Sequence, residues 1–358
     1  TEIVIPDNIT HIGKNAFYNC SKLVKVTMGN NVKTVEAGAF YSCENIEGVY
    51  ADSLGNWCKI NFGSSDSNPV KYAKKLYIDN TLVTGKLVIP DGVAYVGDYA
   101  FYNCDLVTGV KIPDSVTKIG TNAFSYNEEL TEIDLGKGLT EIGTSAFYET
   151  SVKSVVIPAN VKTVGDRVFS NCIALDNVEF LNKTFSGGSS MFSGCTAIKE
   201  IILPEDLETI SGMFNGCTSL EKVTFPKKLK KLGDQAFSGC TALGEVTIPD
   251  TVTEIWNSVF NGCTGLKKVK ISENAKFIYS YAFYKCTGLE EIVIPDSVET
   301  IGNAVFSGCT GLKKVTLSKN LKGSGLDSLF YGCSSLTEIE IPDGVENLSH
   351  SCFRECTS

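Results

Sequence analysis

The chain has 358 residues, a formal net charge of −9 and 43% hydrophobic content. The acidic balance argues against nucleic-acid phosphates or an anionic membrane as partner. No uninterrupted apolar stretch approaches the roughly 20 residues that a membrane helix needs.

A repeat sets the organisation from the first residues. One phenylalanine recurs from Phe17 and Phe40, through Phe101, Phe124, Phe147, Phe169, Phe192, Phe214, Phe237, Phe260, Phe283 and Phe306, to Phe330 and Phe353. The step is 23 residues, with three slips of one residue and one gap of 61. A fixed period of this size indicates stacked repeats, which contact only their neighbours and grow without one central core. About 14 repeats of about 23 residues therefore read as a single solenoid domain over residues 1–358. The chain begins inside a repeat, at Glu2 to Pro6, and stops just after Cys356. Neither end carries the polar cap that terminal repeats need, so it reads as a piece of a longer protein whose targeting signal would lie elsewhere.

The first break in rhythm is an insert over residues 51–86, inside the 61-residue gap. It holds Trp57, Asn68-Pro69 and the Leu76-Tyr77-Ile78 run. A second irregularity, residues 180–191, keeps the repeat length but loses its Pro, Val and Ile, and is expected to be a loose rung. The repeat at 289–311 shows the full pattern. Leu289, Ile292 and Ile294 alternate as in a half-buried strand, with Glu291 and Val293 facing out. Pro295 ends the strand, because it cannot donate to a ladder. Asp296 and Ser297 supply turn chemistry. Val298 and Ile301 form a second inward pair, and Gly302 permits a tight turn. Residues 303–309 are too few for an independent helix. A single helical or 3₁₀ turn there would aim Val305, Phe306 and Cys309 inward.

The Ile-Pro-Asp, Ile-Gly and Ala-Phe-x-x-Cys elements together resemble the BspA-like class of leucine-rich repeat, found in bacterial surface proteins. The resemblance implies a right-handed leucine-rich-repeat superhelix, with a parallel sheet on one face and short helical or 3₁₀ turns on the other. A tryptophan-containing insert with Asn-Pro and Leu-Tyr-Ile recurs in such repeats. The usual Asn/Cys position after the strand is variable here, as Asn8, Ser115, Lys228 and Thr251. No buried polar ladder is expected at that point, and a cysteine column takes its place.

Twelve of fourteen cysteines share that column, while Asn127 and Thr150 occupy it in two repeats. Rungs about 4.8 Å apart fall within disulfide range. The column offers no preferred partners, so buried free thiols are expected. Cys352 and Cys356 with His350 are too weak a set to assign a metal. The recurrent Asp after Pro could present a carboxylate column to calcium, but a local Asx turn explains it more simply.

Only His11 and His350 are present, in the first and last repeats, so no Cys–His or Ser–His pair can form around both. There is no phosphate-binding or dinucleotide loop. A glycosidase using two carboxylates stays open in principle, yet the reading is no enzyme and no cofactor.

Outward strand positions alternate in sign through Glu200, Lys222, Glu245, Lys268, Glu291, Lys314 and Glu338. Such alternation suits cross-strand ion pairing. The N-terminal half has no such ladder and carries more aromatics. Tyr50, Trp57, Lys71, Tyr72, Lys86 and Lys111 are the candidate contact residues for a protein or glycan ligand. Trp57, Phe62 and Tyr77 can instead form a core for the insert. The expected role is a monomeric, non-catalytic recognition module, placed outside the cell by the family resemblance. The alternative is a structural spacer within a larger surface protein.

Overall fold

A computed structural model describes residues 1–322 and 326–358. The chain forms two compact units, Thr1–Gly188 and Ser189–Ser358. The boundary falls inside the irregular 180–191 segment. In each unit the repeats stack as three-sided rungs joined by parallel ladders.

The rung at residues 243–263 shows how the sequence builds each side. The strand Glu245–Thr247 pairs in parallel with Lys268–Lys270 of the next rung. Its alternation places Val246 inside, with Leu243 and Ile248 also buried. Pro249 and Asp250 turn the chain. The Asp250 carboxylate reaches across rungs instead of making the expected local Asx turn: it accepts the backbone N–H of Glu273, one repeat later, at 3.0 Å. The same cross-rung bond recurs at Asp7, Asp114 and Asp296. The second side is the two-residue strand Glu254–Ile255, paired with both Lys231–Leu232 and Phe277–Ile278.

The third side corrects the expected helical or 3₁₀ turn. The N–H groups of Ser258, Phe260 and Gly262 donate to carbonyls of the next rung, while those of Asn261 and Cys263 close turns within their own rung. Ser258 and Gly262 both adopt left-handed backbone conformations. A helical turn would direct every amide along its own axis. Interleaving left-handed residues sends alternate amides to the neighbouring rung, so this side also becomes a ladder. Helical segments described in the structure, Leu54–Trp57, Ser65–Ser67 and Val70–Ala73, all lie in the insert.

The core is a column of stacked phenylalanines. In unit 1, Phe101, Phe124, Phe147 and Phe169 stack at 5.2–5.4 Å between ring centres. In unit 2, Phe237, Phe260, Phe283, Phe306 and Phe330 stack at 5.4–5.7 Å. Such pairs contribute about 0.5–1.5 kcal/mol each beyond the area they bury.

All fourteen cysteines are free thiols, and those of the interior rungs are buried. Most interior thiols of the column find an acceptor. Cys240, Cys263, Cys286 and Cys309 donate to the carbonyls of Phe214, Phe237, Phe260 and Phe283, at 3.0–3.1 Å. The cysteine column is thus a hydrogen-bonded ladder as well as a set of small apolar fillers. Where Thr150 replaces cysteine, its hydroxyl bonds the Phe147 carbonyl.

The irregular 180–191 segment stays bonded to the preceding rung, but its two strands are the last of their ladders. Asn177–Phe180 pairs with Ser154–Ile157, and Ser186–Gly187 with Thr163–Val164. Phe180 and Phe185 stack on each other, and buried Asn182 donates to the carbonyls of Val161 and Thr184. Polar bonding replaces the missing apolar positions.

Candidate ligand-binding surface

The insert completes a rung rather than hanging from one. Ser53 caps the Leu54–Trp57 helix by accepting the N–H of Asn56. The chain then forms Asn61–Phe62, which pairs with Thr34–Val35 of the preceding rung. Leu76–Ile78 pairs in parallel with Gly48–Ala51 and turns back through the antiparallel strand Thr81–Leu82. The 61-residue gap therefore contains a rung whose third side has no motif phenylalanine.

Trp57 fills part of that space. It is 1% exposed, packs its ring against Phe62 at 5.5 Å and donates its indole N–H to the Ala100 carbonyl at 2.9 Å. This removes Trp57 from the candidate contact residues: it belongs to the insert's core, with no face free for a ligand. Asn68 works beside it. Fully buried, its amide donates to the carbonyls of Tyr99 and Ala100 and accepts the N–H of Val70.

Lys71 and Tyr72 sit on the short helix Val70–Ala73, and both turn to Asp66. The Lys71 ammonium lies 2.5 Å from the carboxylate, and the Tyr72 hydroxyl donates to it at 3.0 Å. That hydroxyl also accepts the N–H of Ser42 on the preceding rung. Burial first, and the Asp66 carboxylate second, hold the Tyr72 phenol well above its usual range. These contacts tie the insert to the stack.

Tyr50 lies elsewhere, on the outward face of the long-strand sheet. Its ring stacks on Tyr77 with centres 4.5 Å apart and planes within 7°. The Lys25 ammonium sits 4.7 Å from the Tyr50 ring centre, within cation–π range. Both rings lean over Gly48: a Cβ there would lie 3.0 Å from Tyr50 Cε2 and 3.2 Å from Tyr77 Cε2. Glycine at this position lets the two rings lie against the sheet. Half-buried, they form an aromatic shelf with Lys25 at one edge.

The family model described as the BspA type leucine rich repeat region (6 copies) matches residues 1–67, 74–199, 140–264 and 235–358. The chain belongs to the BspA-type leucine-rich repeat family. Solved structures agree. A leucine-rich repeat protein from Bacteroides ovatus is 26% identical, with a TM-score of 0.66, covering 99% of this chain and 84% of that one. A leucine-rich repeat protein from Eubacterium ventriosum is 25% identical, with a TM-score of 0.57, covering 84% of this chain and 88% of that one. The pneumococcal vaccine antigen PcpA shares the fold at 19% identity and a TM-score of 0.50, covering 91% and 83%. No curated protein matches.

In this BspA-type chain, Lys86 and Lys111 stand together on a separate sheet. Strand Gly85–Val88 pairs with Val107–Lys111, so Lys111 lies opposite exposed Val88, and Lys86 lies opposite Gly109. Both lysines are exposed. The candidate residues therefore fall into three sets: Tyr50 with Tyr77 and Lys25, Lys71 with Tyr72 on Asp66, and Lys86 with Lys111. Sequence reasoning missed Lys25 as a contributor and placed Tyr77 with the insert's core. The available signal was register, since the runs ending in Tyr50 and Tyr77 pair residue for residue.

The charge ladder of unit 2 has the expected register, with Glu200 opposite Lys222, Glu245 opposite Lys268, and Lys314 between Glu291 and Glu338. Contact is looser than register. Among the pairs described for this ladder, Lys222 and Glu200 approach to 4.0 Å. Closer pairs form beside it, such as Lys230–Glu208 and Lys313–Glu290, each at 2.9 Å. Among the described residues, no three His, Cys, Asp or Glu are grouped to hold a metal. Nor, among the described residues, is any helix long and apolar enough to cross a membrane.

Proposed function

We propose that this chain is a non-catalytic recognition module, acting outside the cell, whose ligand lies across the long-strand face of unit 1. The observation that carries this reading is the Tyr50–Tyr77 shelf over Gly48, with Lys25 beside it. Paired aromatic rings with polar tips supply contact area at low cost in rotamer freedom, which is why they mark interfaces. Lys86 and Lys111 add exposed cations on a second sheet of the same unit.

The reading is tested by screening the chain against extracellular matrix proteins and glycans, then measuring each captured ligand with Tyr50→Ala, Tyr77→Ala and the double variant. Loss of binding by variants that melt like the parent supports it. Full affinity in the double variant for every captured ligand overturns it and leaves a structural spacer as the better reading. Replacing the whole insert would be a poor test, because Ser67, Asn68 and Val70 are buried parts of a rung.

A further inference from the structure

The repeat rule is broken conspicuously in unit 2. After the inward Ile or Leu of the second side, Gly233 and Gly302 follow the repeat pattern, and space explains why. A Cβ at Gly302 would lie 2.5 Å from the backbone nitrogen of Ser280, and one at Gly233 would lie 3.0 Å from Ser211 Cβ. Two consecutive rungs between these glycines instead place Trp256 and Tyr279 there. The backbone ladder continues through both, with the N–H of Trp256 on the Leu232 carbonyl and that of Tyr279 on the Ile255 carbonyl. Large aromatics at a position shaped for glycine oppose tight stacking, and local rules tend to be broken where function requires it.

These residues build an open aromatic surface. The Trp256 and Tyr279 rings lie 5.3 Å apart, and Phe277 continues the surface 6.1 Å from Tyr279. Phe277 is 39% and Tyr279 36% exposed. Trp256 is fixed behind them: its indole N–H donates to Glu254 at 2.6 Å and the Lys231 ammonium covers its ring at 3.2 Å. The rim is ionic but internally balanced. Lys231 faces Glu254 at 3.9 Å, and Glu299 is paired with Lys276 and Lys322 at 3.4 and 2.9 Å. A paired rim gives little attraction to a charged ligand, whereas its carboxylates and ammonium groups accept from and donate to hydroxyls.

We infer that Phe277 and Tyr279, backed by Trp256, form a binding platform for a neutral saccharide on the second side of unit 2. The apolar C–H face of a sugar ring stacks on the open aromatic faces, and its hydroxyl edge meets the charged rim. This surface is distinct from the Tyr50–Tyr77 shelf and stands or falls separately.

The experiment uses the whole chain and neutral oligosaccharides of glucose, galactose and mannose, followed by tryptophan emission and calorimetry. Trp57, the other tryptophan, is buried in unit 1, so a saturable emission change reports Trp256. The decisive variants copy the next rung: Phe277→Thr and Tyr279→Gly install the residue types found at Thr300 and Gly302. They should fold and melt like the parent, or higher for Tyr279→Gly, while the double variant binds at least about tenfold more weakly, as loss of two stacking contacts implies. Three results overturn the inference. One is the absence of saturable binding to every neutral oligosaccharide. Another is tighter binding of sulfated or sialylated sugars than of neutral ones. The third is concentration-dependent self-association that Tyr279→Gly abolishes, which would make the surface an interface between copies of the chain.

Discussion

Asn127 stands in the cysteine column and donates its amide to the carbonyl of Phe101, 2.9 Å away on the preceding rung. It also donates to the carbonyl of Phe124 and accepts the N–H of Cys104. One buried amide thus does what a thiol does elsewhere, and adds an acceptor. Asn127→Leu strips three backbone groups of their partner inside the core. It should destabilise unit 1 by about 2–4 kcal/mol, read from urea unfolding. Asn127→Cys restores the S–H···O bond to Phe101 and should recover part of that loss. Equal stability of the Leu and Cys variants would show that the ladder bond contributes nothing.

Alkaline pH should unfold the chain through the same column. Burial pushes the thiols of Cys104, Cys217 and Cys263 up to about 12 and that of Cys172 to about 11. An unfolded cysteine loses its proton near about pH 8.5. The folded pKa values are raised, so this stabilisation is complete below the unfolded pKa and is lost as pH climbs toward 11–12. Between those limits each thiol steepens the fall by up to about 1.4 kcal/mol per pH unit. With reductant present, the melting temperature should drop steeply above about pH 9, and Cys263→Ala should make that drop shallower. An unchanged slope in the variant would break the link to the thiols.

Lys268→Glu places an acid directly opposite Glu245. Both positions are exposed, so solvent limits the effect to below about 1 kcal/mol. It should be clear at low ionic strength and vanish near about 1 M salt, where the screening length is only about 3 Å. A melting shift that does not respond to salt would point to lost packing instead.

Asn68→Leu should release the insert. It leaves the carbonyl of Tyr99 and the N–H of Val70 without their side-chain partner. Trypsin should then cut at Lys71, Lys74 and Lys75 well before the chain melts, while the parent resists at those sites. Cleavage at the parent's rate in the variant would mean that Trp57 and its bond to Ala100 hold the insert unaided.

The rung, its inward residues and the strand register were legible in the sequence, because Phe, Cys, Pro and Ile recur at one spacing and each marks a physically distinct place. The left-handed turns of the third side were only partly so. Gly or Asn stands just before the column cysteine in most rungs, as at Asn19, Asn103, Gly239 and Gly262, but Tyr99, Glu149 and Arg167 adopt the same conformation, so the signal is present without being uniform. At the candidate surface, Tyr50 was singled out while Tyr77 was assigned to the insert's core, because its register with Tyr50 runs across the insert and not at the repeat spacing. Trp57 could be read from sequence either as a contact or as part of the insert's core, and its burial decides for the core. Trp256 and Tyr279 break the repeat visibly, yet the cost of doing so emerges only from the backbone spacing around Gly233 and Gly302.

The three ladders of each unit share one direction, along the stack. Tension applied along that direction loads the bonds between one pair of rungs in series with those of the next, so each junction carries the full force. Extension should then proceed by peeling, each event freeing one 23-residue repeat, or roughly 80 Å of chain. A unit built this way would yield under load in many small, repeated steps, dissipating work at each and re-forming the rungs behind it when slack returns.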